Sequence, residues 1–301
     1  MAPAAPKKSG ALASLAPVTA GAATVAFVMY PVDVCRALVM ANPGVGAGAA
    51  ISGFLNTHGV AGFAKQGMLA ELSRGTFSRL VKFWMQPIAH EAAFGMKQKD
   101  GTPITKGLAG MLATVPEVLT ISPLENIKLA EQLDKDKRFN GMGSVASHLY
   151  KTRGSAGLYI GYSGMQMRQA LWTGGFFASC DVITGAAQSV LGKGIFSDVV
   201  GGFGAGMFGV ALNCWTDVTR TIIQKEAIAN TFDPKAPVMT WANNLNPVEF
   251  VAKAGQIASE RGFMSGLYAG VHVKALHLGG SGALLAVLMP RFKTWFGVES
   301  S

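Results

Sequence analysis

One pattern recurs three times at equal intervals, and that recurrence constrains the fold more than any other feature. Pro31, Asp33 and Arg36 reappear as Pro123, Glu125 and Lys128, and again as Trp215, Asp217 and Arg220, the copies starting at 31, 123 and 215, an interval of 92 residues. A fixed interval of this kind is the mark of a supersecondary unit copied in tandem. Four residues beyond each base stand Met40, Gln132 and Gln224, so two copies also share a glutamine. A second pattern follows each time. Arg153, Gly157, Tyr159 and Gly161 parallel Arg261, Gly266, Tyr268 and Gly270, with an eroded first copy at Gly59, Gly62, Phe63 and Gly67. The chain therefore reads as a flexible lead over 1–10 followed by units at 11–100, 101–193 and 194–301. Each unit is a long helix ending in the acid–base motif, a short surface helix, and a second long helix opening at the glycine.

The composition says where such helices belong. Half of the residues are hydrophobic, only 14% are charged, and mean hydropathy is +0.31. Apolar stretches near 11–30, 104–123, 161–180, 196–215 and 270–290 are long enough to cross a hydrocarbon core of ~30 Å at ~1.5 Å per residue, although glycines and charges interrupt them. Hydropathy alone therefore undercounts the spans. The 38 glycines fall within the apolar runs, as at Gly201, Gly202, Gly204 and Gly206, where small residues let helices approach closely in lipid. Collagen and disordered linkers are excluded by the missing Gly-X-Y period and the high apolar content. The three cysteines, Cys35, Cys180 and Cys214, fall in the apolar helices and form neither a metal spacing nor a disulfide framework.

Two spans per unit return the chain to its starting side, so three units of one orientation close around an axis along the membrane normal. An acid and a base at i and i+3 share one helix face, and charges within a span are costly unless they meet partners or water. The motif with its downstream glutamine resembles the signature of the mitochondrial carrier family, and the likeness extends over nearly the whole chain. The resemblance implies an all-α membrane protein of six transmembrane helices in three tandem two-helix repeats, with pseudo-threefold symmetry and short matrix-side helices, in the mitochondrial inner membrane. It also implies a matrix-side gate in which Asp33 pairs with Lys128, Glu125 with Arg220 and Asp217 with Arg36, with Gln132 and Gln224 bracing such pairs. Taken one at a time, these residues equally suit charges snorkelling at helix ends. Trp215 in place of the third proline removes a fixed φ from the fifth long helix.

By the same resemblance, the substrate is met about two turns past the opening glycine of each even helix. Counting seven residues on reaches Arg74, Arg168 and His277, with Gln169 beside Arg168 and Trp172 one turn further on the same face. Two cations and an imidazole favour an anion, and an Arg-Gln pair at the second position is similar to that of carriers for keto acids and carboxylates. Snorkelling accounts equally for Arg74, and packing among small residues for His277. An outer gate reads as incomplete: Asp181 has Thr184 where a base is expected, and Lys293 lies near the end of the sixth long helix.

Gly141, Gly161 and Gly270 each stand where a helix begins. In the family such positions hold cardiolipin or another anionic lipid through free backbone N–H groups, although a glycine there also simply permits a tight turn. The net charge of +9 resides mostly between or at the ends of spans, which fits anionic headgroups or solutes and not nucleic acid. No nucleophile–base pair, metal cluster or nucleotide loop is visible, so no enzyme, no catalytic or metal-ligating residue and no cofactor is expected. His90 and Glu91 lack the second histidine of a metalloprotease helix. The expected function is alternating-access transport of a small anionic metabolite. The competing expectation is a carrier fold that serves without transport as an accessory subunit of a respiratory or ATP synthase complex of the inner membrane.

Overall fold

The structure is a computed structural model and describes residues 13–41, 47–59, 68–133, 142–232, 240–268 and 271–298. Ten α-helices lie within them: α1 (Leu15–Ala41), α2 (Ala47–His58), α3 (Met68–Phe94), α4 (Pro103–Leu133), α5 (Met142–Arg153), α6 (Tyr162–Leu191), α7 (Ile195–Ala229), α8 (Trp241–Leu245), α9 (Pro247–Arg261) and α10 (Val271–Trp295). Six are long, and the four short ones fall between the members of each long pair. No β-strand occurs among the described residues. Segments of α1, α4, α7 and α10 are long and apolar enough to cross a membrane. In α3 and α6 the apolar run is diluted by Arg79, Lys82, Gln86 and His90 and by Gln166, Arg168 and Gln169, all buried or half-buried.

Polarity is reversed relative to a water-soluble protein. Along α4 the exposed positions include Ile104, Leu108, Leu112, Val115 and Leu119, which recur every three or four residues and so form one apolar stripe. Glu117, Asn126, Gln86, His90 and Gln224 are by contrast almost wholly buried. An apolar exterior over polar interior groups is what hydrocarbon as solvent requires.

The chain forms two compact units that cut across the repeats. The first comprises 1–113, 172–211 and 270–301, and the second 114–171 and 212–269. In the first, α1 packs along α3 and α10, around a core that includes Val18, Val25, Met29, Trp172, Phe176 and Leu285. Glycines set the helix spacing there. A methyl group at Gly202 would lie 2.6 Å from the carbonyl oxygen of Gly282, and one at Gly206 would lie 2.7 Å from that of Leu278. Backbone thus meets backbone between α7 and α10, which any side chain would prevent.

In the second unit, Ile127, Val145, Leu149, Ile160 and Ile228 form one cluster. Ala254, Ile257 and Leu267 form another, onto which Trp215 packs. Prolines lie inside α1 (Pro31) and α4 (Pro116 and Pro123). The 35 residues of α7 run without one, and Trp215 stands instead against Phe250 with ring centroids 6.0 Å apart. The last two short helices begin at caps. Thr240 and Asn243 form a capping box for α8, and Asn246 accepts from the Val248 amide to open α9, with Pro247 in its first turn.

Candidate functional site

In the second unit, parts of α4, α6 and α7 bring together a buried ladder of polar side chains. Gln166 donates to Thr114 Oγ1 at 2.8 Å, and Gln169 donates to Glu117 Oε1 at 2.7 Å. Both bonds join α6 to α4 through residues three apart on each helix, positions that share a face. Arg220 Nη1 donates to Glu125 Oε2 at 3.0 Å, joining the bases and acids of the third and second motifs. Asp217 Oδ1 lies 3.5 Å from Arg168 Nε, with the two side chains only 11% and 15% exposed. That contact is an ion pair without an aligned bond, since Arg168 Nε has no hydrogen-bond acceptor.

Gln224 does not reach the ion pairs. Its amide nitrogen donates to Asn126 Oδ1 at 3.0 Å and to the Ile160 carbonyl at 3.1 Å, while Asn126 donates to the carbonyls of Leu158 and Ile160. The glutamine therefore braces the corner at which α6 begins. Gly161 sits in that corner, buried, at φ +69°. Of the other predicted positions, Gly141 and Gly270 and the side chains of Asp33, Arg36, Arg74, Lys128 and Gln132 lie outside the described residues.

The first unit holds Trp172 and His277, both nearly buried. Trp172 stacks on Phe176 with centroids 5.5 Å apart, and the ammonium of Lys82 lies 5.4 Å from the Trp172 ring centroid. Such a placement is a cation–π contact, stronger when desolvated as here. Lys82 and Lys274 are 5% and 3% exposed. The four acids described in this unit, Glu91, Asp100, Asp181 and Asp198, are exposed or half-exposed. Asp181 receives Lys106 at 2.5 Å, so its base comes from α4 and not from the turn that follows it. Lys106, Asp181 and Lys293 line a cavity of about 470 Å³ walled by Phe83, Phe176 and Phe177. His90 is held between the Met96 carbonyl and Thr105 Oγ1 at 3.0 Å each, a structural placement.

Sequence reasoning passed over Lys82, Lys106, Glu117 and Lys274. One signal was available: Arg79 and Lys82 stand three apart in the middle of a long helix that pairs with apolar spans, and a base so placed requires a reason.

Residues 99–189 match the family described as mitochondrial carrier protein, a stretch that nearly coincides with the unit expected at 101–193. The chain is 28% identical over 197 residues to a Schizosaccharomyces pombe protein named probable mitochondrial 2-oxodicarboxylate carrier, covering 64% of this chain and 61% of that one. It is 26% identical over 183 residues to a Dictyostelium discoideum protein of the same name, covering 60% of this chain and 56% of the relative. To mitoferrin of Dictyostelium discoideum it is 24% identical over 211 residues, covering 66% and 68%. The chain thus spans less than two thirds of the length of the first two relatives.

Proposed function

On the premise that this chain is a divergent member of the mitochondrial carrier family, a multi-pass protein of the mitochondrial inner membrane, we propose that it moves a small anionic metabolite by alternating access. The substrate class is a carboxylate or keto acid, with a 2-oxodicarboxylate as the first choice, in keeping with the names of two relatives. The observation that carries the reading is Arg168, a guanidinium in the second turn of α6 that stands beside a carboxylate without hydrogen bonding to it through Nε. A guanidinium so placed grips carboxylate in a planar fork, and Gln169 beside it is already turned to a carboxylate oxygen.

Arg220 with Glu125 and Arg168 with Asp217 are the breakable part of the second unit. Both pairs are largely buried, so breaking one is costly unless water or another charge takes over the freed groups, and a gate built from them opens as the cavity hydrates. The experiment is exchange by purified protein in liposomes against 2-oxoglutarate, 2-oxoadipate, malate, citrate, phosphate and nucleotides. Uptake of at least one carboxylate is expected, and Arg168→Lys, which keeps a cation beside Asp217 but loses the planar fork, should sharply reduce it while leaving the thermal transition nearly unchanged. Failure to exchange any of the panel would overturn the reading. Trp215, packed against Phe250 where the motif otherwise has proline, favours a second reading: a non-transporting accessory subunit of a respiratory or ATP synthase complex. That reading requires stoichiometric co-purification with such a complex.

A further inference from the structure

We propose that the cavity of the first unit binds a zwitterion with an apolar body, in the simplest case an α-amino acid with an aliphatic or aromatic side chain. This reading does not depend on Arg168 or on transport of an anion. The cavity holds about 470 Å³, within the ~300–1,000 Å³ usual for small-molecule sites, and every residue lining it belongs to that one unit.

Three features of the lining define the ligand. The first is an apolar floor. Phe83, Phe176 and Phe177 cluster with ring centroids 5.1, 5.6 and 6.1 Å apart, and Leu285 and Met289 continue the surface from α10. Such a floor takes up a hydrocarbon chain or a ring, and offers nothing to a compact ion that must shed its water to reach it. The second is a rim of balanced charge. Lys106 is the fourth residue of α4, Asp198 lies in the first turn of α7 and Lys293 in the last turn of α10, so charged groups gather toward helix ends. Asp181 binds Lys106 at 2.5 Å, and Asp198 accepts from Gln188 at 3.2 Å. Two ammonium groups and two carboxylates leave the lining without net formal charge. A ligand of one sign therefore gains no net attraction, whereas one carrying both signs meets a partner for each.

The third feature is Gln86. It is wholly buried, its Nε2 donates to the Lys106 carbonyl at 3.4 Å, and its Oε1 has no donor among the described residues. A buried acceptor without a donor is destabilising, and an N–H of the ligand supplies what it lacks. An α-amino acid answers all three features together. Its ammonium serves Gln86 and the aspartates, its carboxylate the lysines, and its side chain the phenylalanines. A carboxylate without the amine has no donor for Gln86, and an amine without the carboxylate has no acceptor for the lysines.

Binding to the purified full-length protein in detergent is the test, read by the ligand-induced shift in thermal unfolding and by titration calorimetry. L-leucine and L-phenylalanine are expected to bind. Two analogues each lack one charge of leucine: 4-methylpentanoate has no amine and 3-methylbutylamine no carboxylate, and both should bind at least about tenfold more weakly. Glycine carries both charges but no apolar body, and should be weaker to a similar degree. Gly185 supplies the variant that closes the site. It lines the cavity inside a regular helix, and nothing lies within 4 Å of the position a Cβ would take, so Gly185→Leu fills the space without a clash. The variant should fold and lose leucine binding. Gln86→Leu nearly keeps the side-chain volume and removes the acceptor. It should weaken leucine by about tenfold, and it stands in if Gly185→Leu does not fold. Binding of neither amino acid overturns the proposal, as does an analogue of single charge, or glycine, that binds as tightly as leucine. A folded Gly185→Leu or Gln86→Leu that binds leucine as the wild type does overturns it as well, because the ligand then sits elsewhere.

Discussion

Two independent constraints meet at Gly161. Its φ of +69° is left-handed, and a methyl group there would stand 2.7 Å from Gln224 Cγ. The first is backbone strain, intrinsic to any L side chain. The second is a clash that depends on its neighbour. Gly161→Ala is expected to destabilise by ~2–4 kcal/mol, the sum of a forced φ and an overpacked corner. Thermal unfolding in detergent measures this. In a Gln224→Ala background the same change should cost ~1–2 kcal/mol less, because the clash is gone while the strain remains. A glycine substitution with no effect in either background would show that the corner is not built as described. The glycine was legible in the sequence through its repetition, but its partner was not. Motif reading works along the chain at spacings of three and four, whereas Gln169 meets Glu117 from 52 residues away and Lys106 meets Asp181 from 75. Such pairs depend on which helices adjoin, which periodicity does not encode.

At the scale of the element, glycines divide into those that space helices and those that do not. On α7 Gly206 faces α10 backbone: a methyl there would stand 2.8 Å from Gly279 Cα. Gly185 on α6 has nothing within 4 Å of the same position and lies inside a regular helix. Gly206→Leu should therefore prevent native packing, with a loss of about 3 kcal/mol or more and poor recovery of folded protein. Gly185→Ala should instead raise stability by ~0.5–1 kcal/mol, since a helix-interior glycine carries backbone entropy that alanine does not. Opposite signs in thermal unfolding are the outcome sought. Composition revealed that glycines gather in apolar runs but not which face each serves. The short helices were legible to different degrees. Three were placed between the long ones by the repeat. The division of the last into α8 and α9 was written in Thr240 with Asn243 and in Asn246 with Pro247, cap signals that lie outside the repeated motifs.

At the scale of the whole molecule, what matters is which bonds are made to break. The six long helices and three acid–base motifs follow from the repeat and the hydropathy, because lipid solvation imposes length and polarity on every span. The kind of bond closing each contact does not follow from them. In the second unit, α8 is held to the stretch from Gly154 to Tyr159 by neutral groups. Trp241 Nε1 donates to Ser155 Oγ at 3.0 Å, buried Asn244 donates to the Ala156 carbonyl at 2.8 Å, and the Tyr159 and Trp241 rings lie 5.1 Å apart. Arg168 with Asp217 and Arg220 with Glu125, in the same unit, are charged. An anion entering the unit competes for the charged bonds and has little to offer the neutral ones, whose buried carbonyl would be left without a donor. Two outcomes follow. Asn244→Ala should destabilise by ~1–3 kcal/mol, the cost of orphaning a buried acceptor, and the loss should be insensitive to ionic strength because no net charge is involved. Amide hydrogen exchange around Ala156 and Asn244 should stay slow and unchanged when a carboxylate is added, while exchange around Asp217 to Arg220 changes. Faster exchange at Ala156 on ligand addition would mean that the neutral seam opens with the ion pairs, and that breakable and permanent bonds are not divided by charge in this protein.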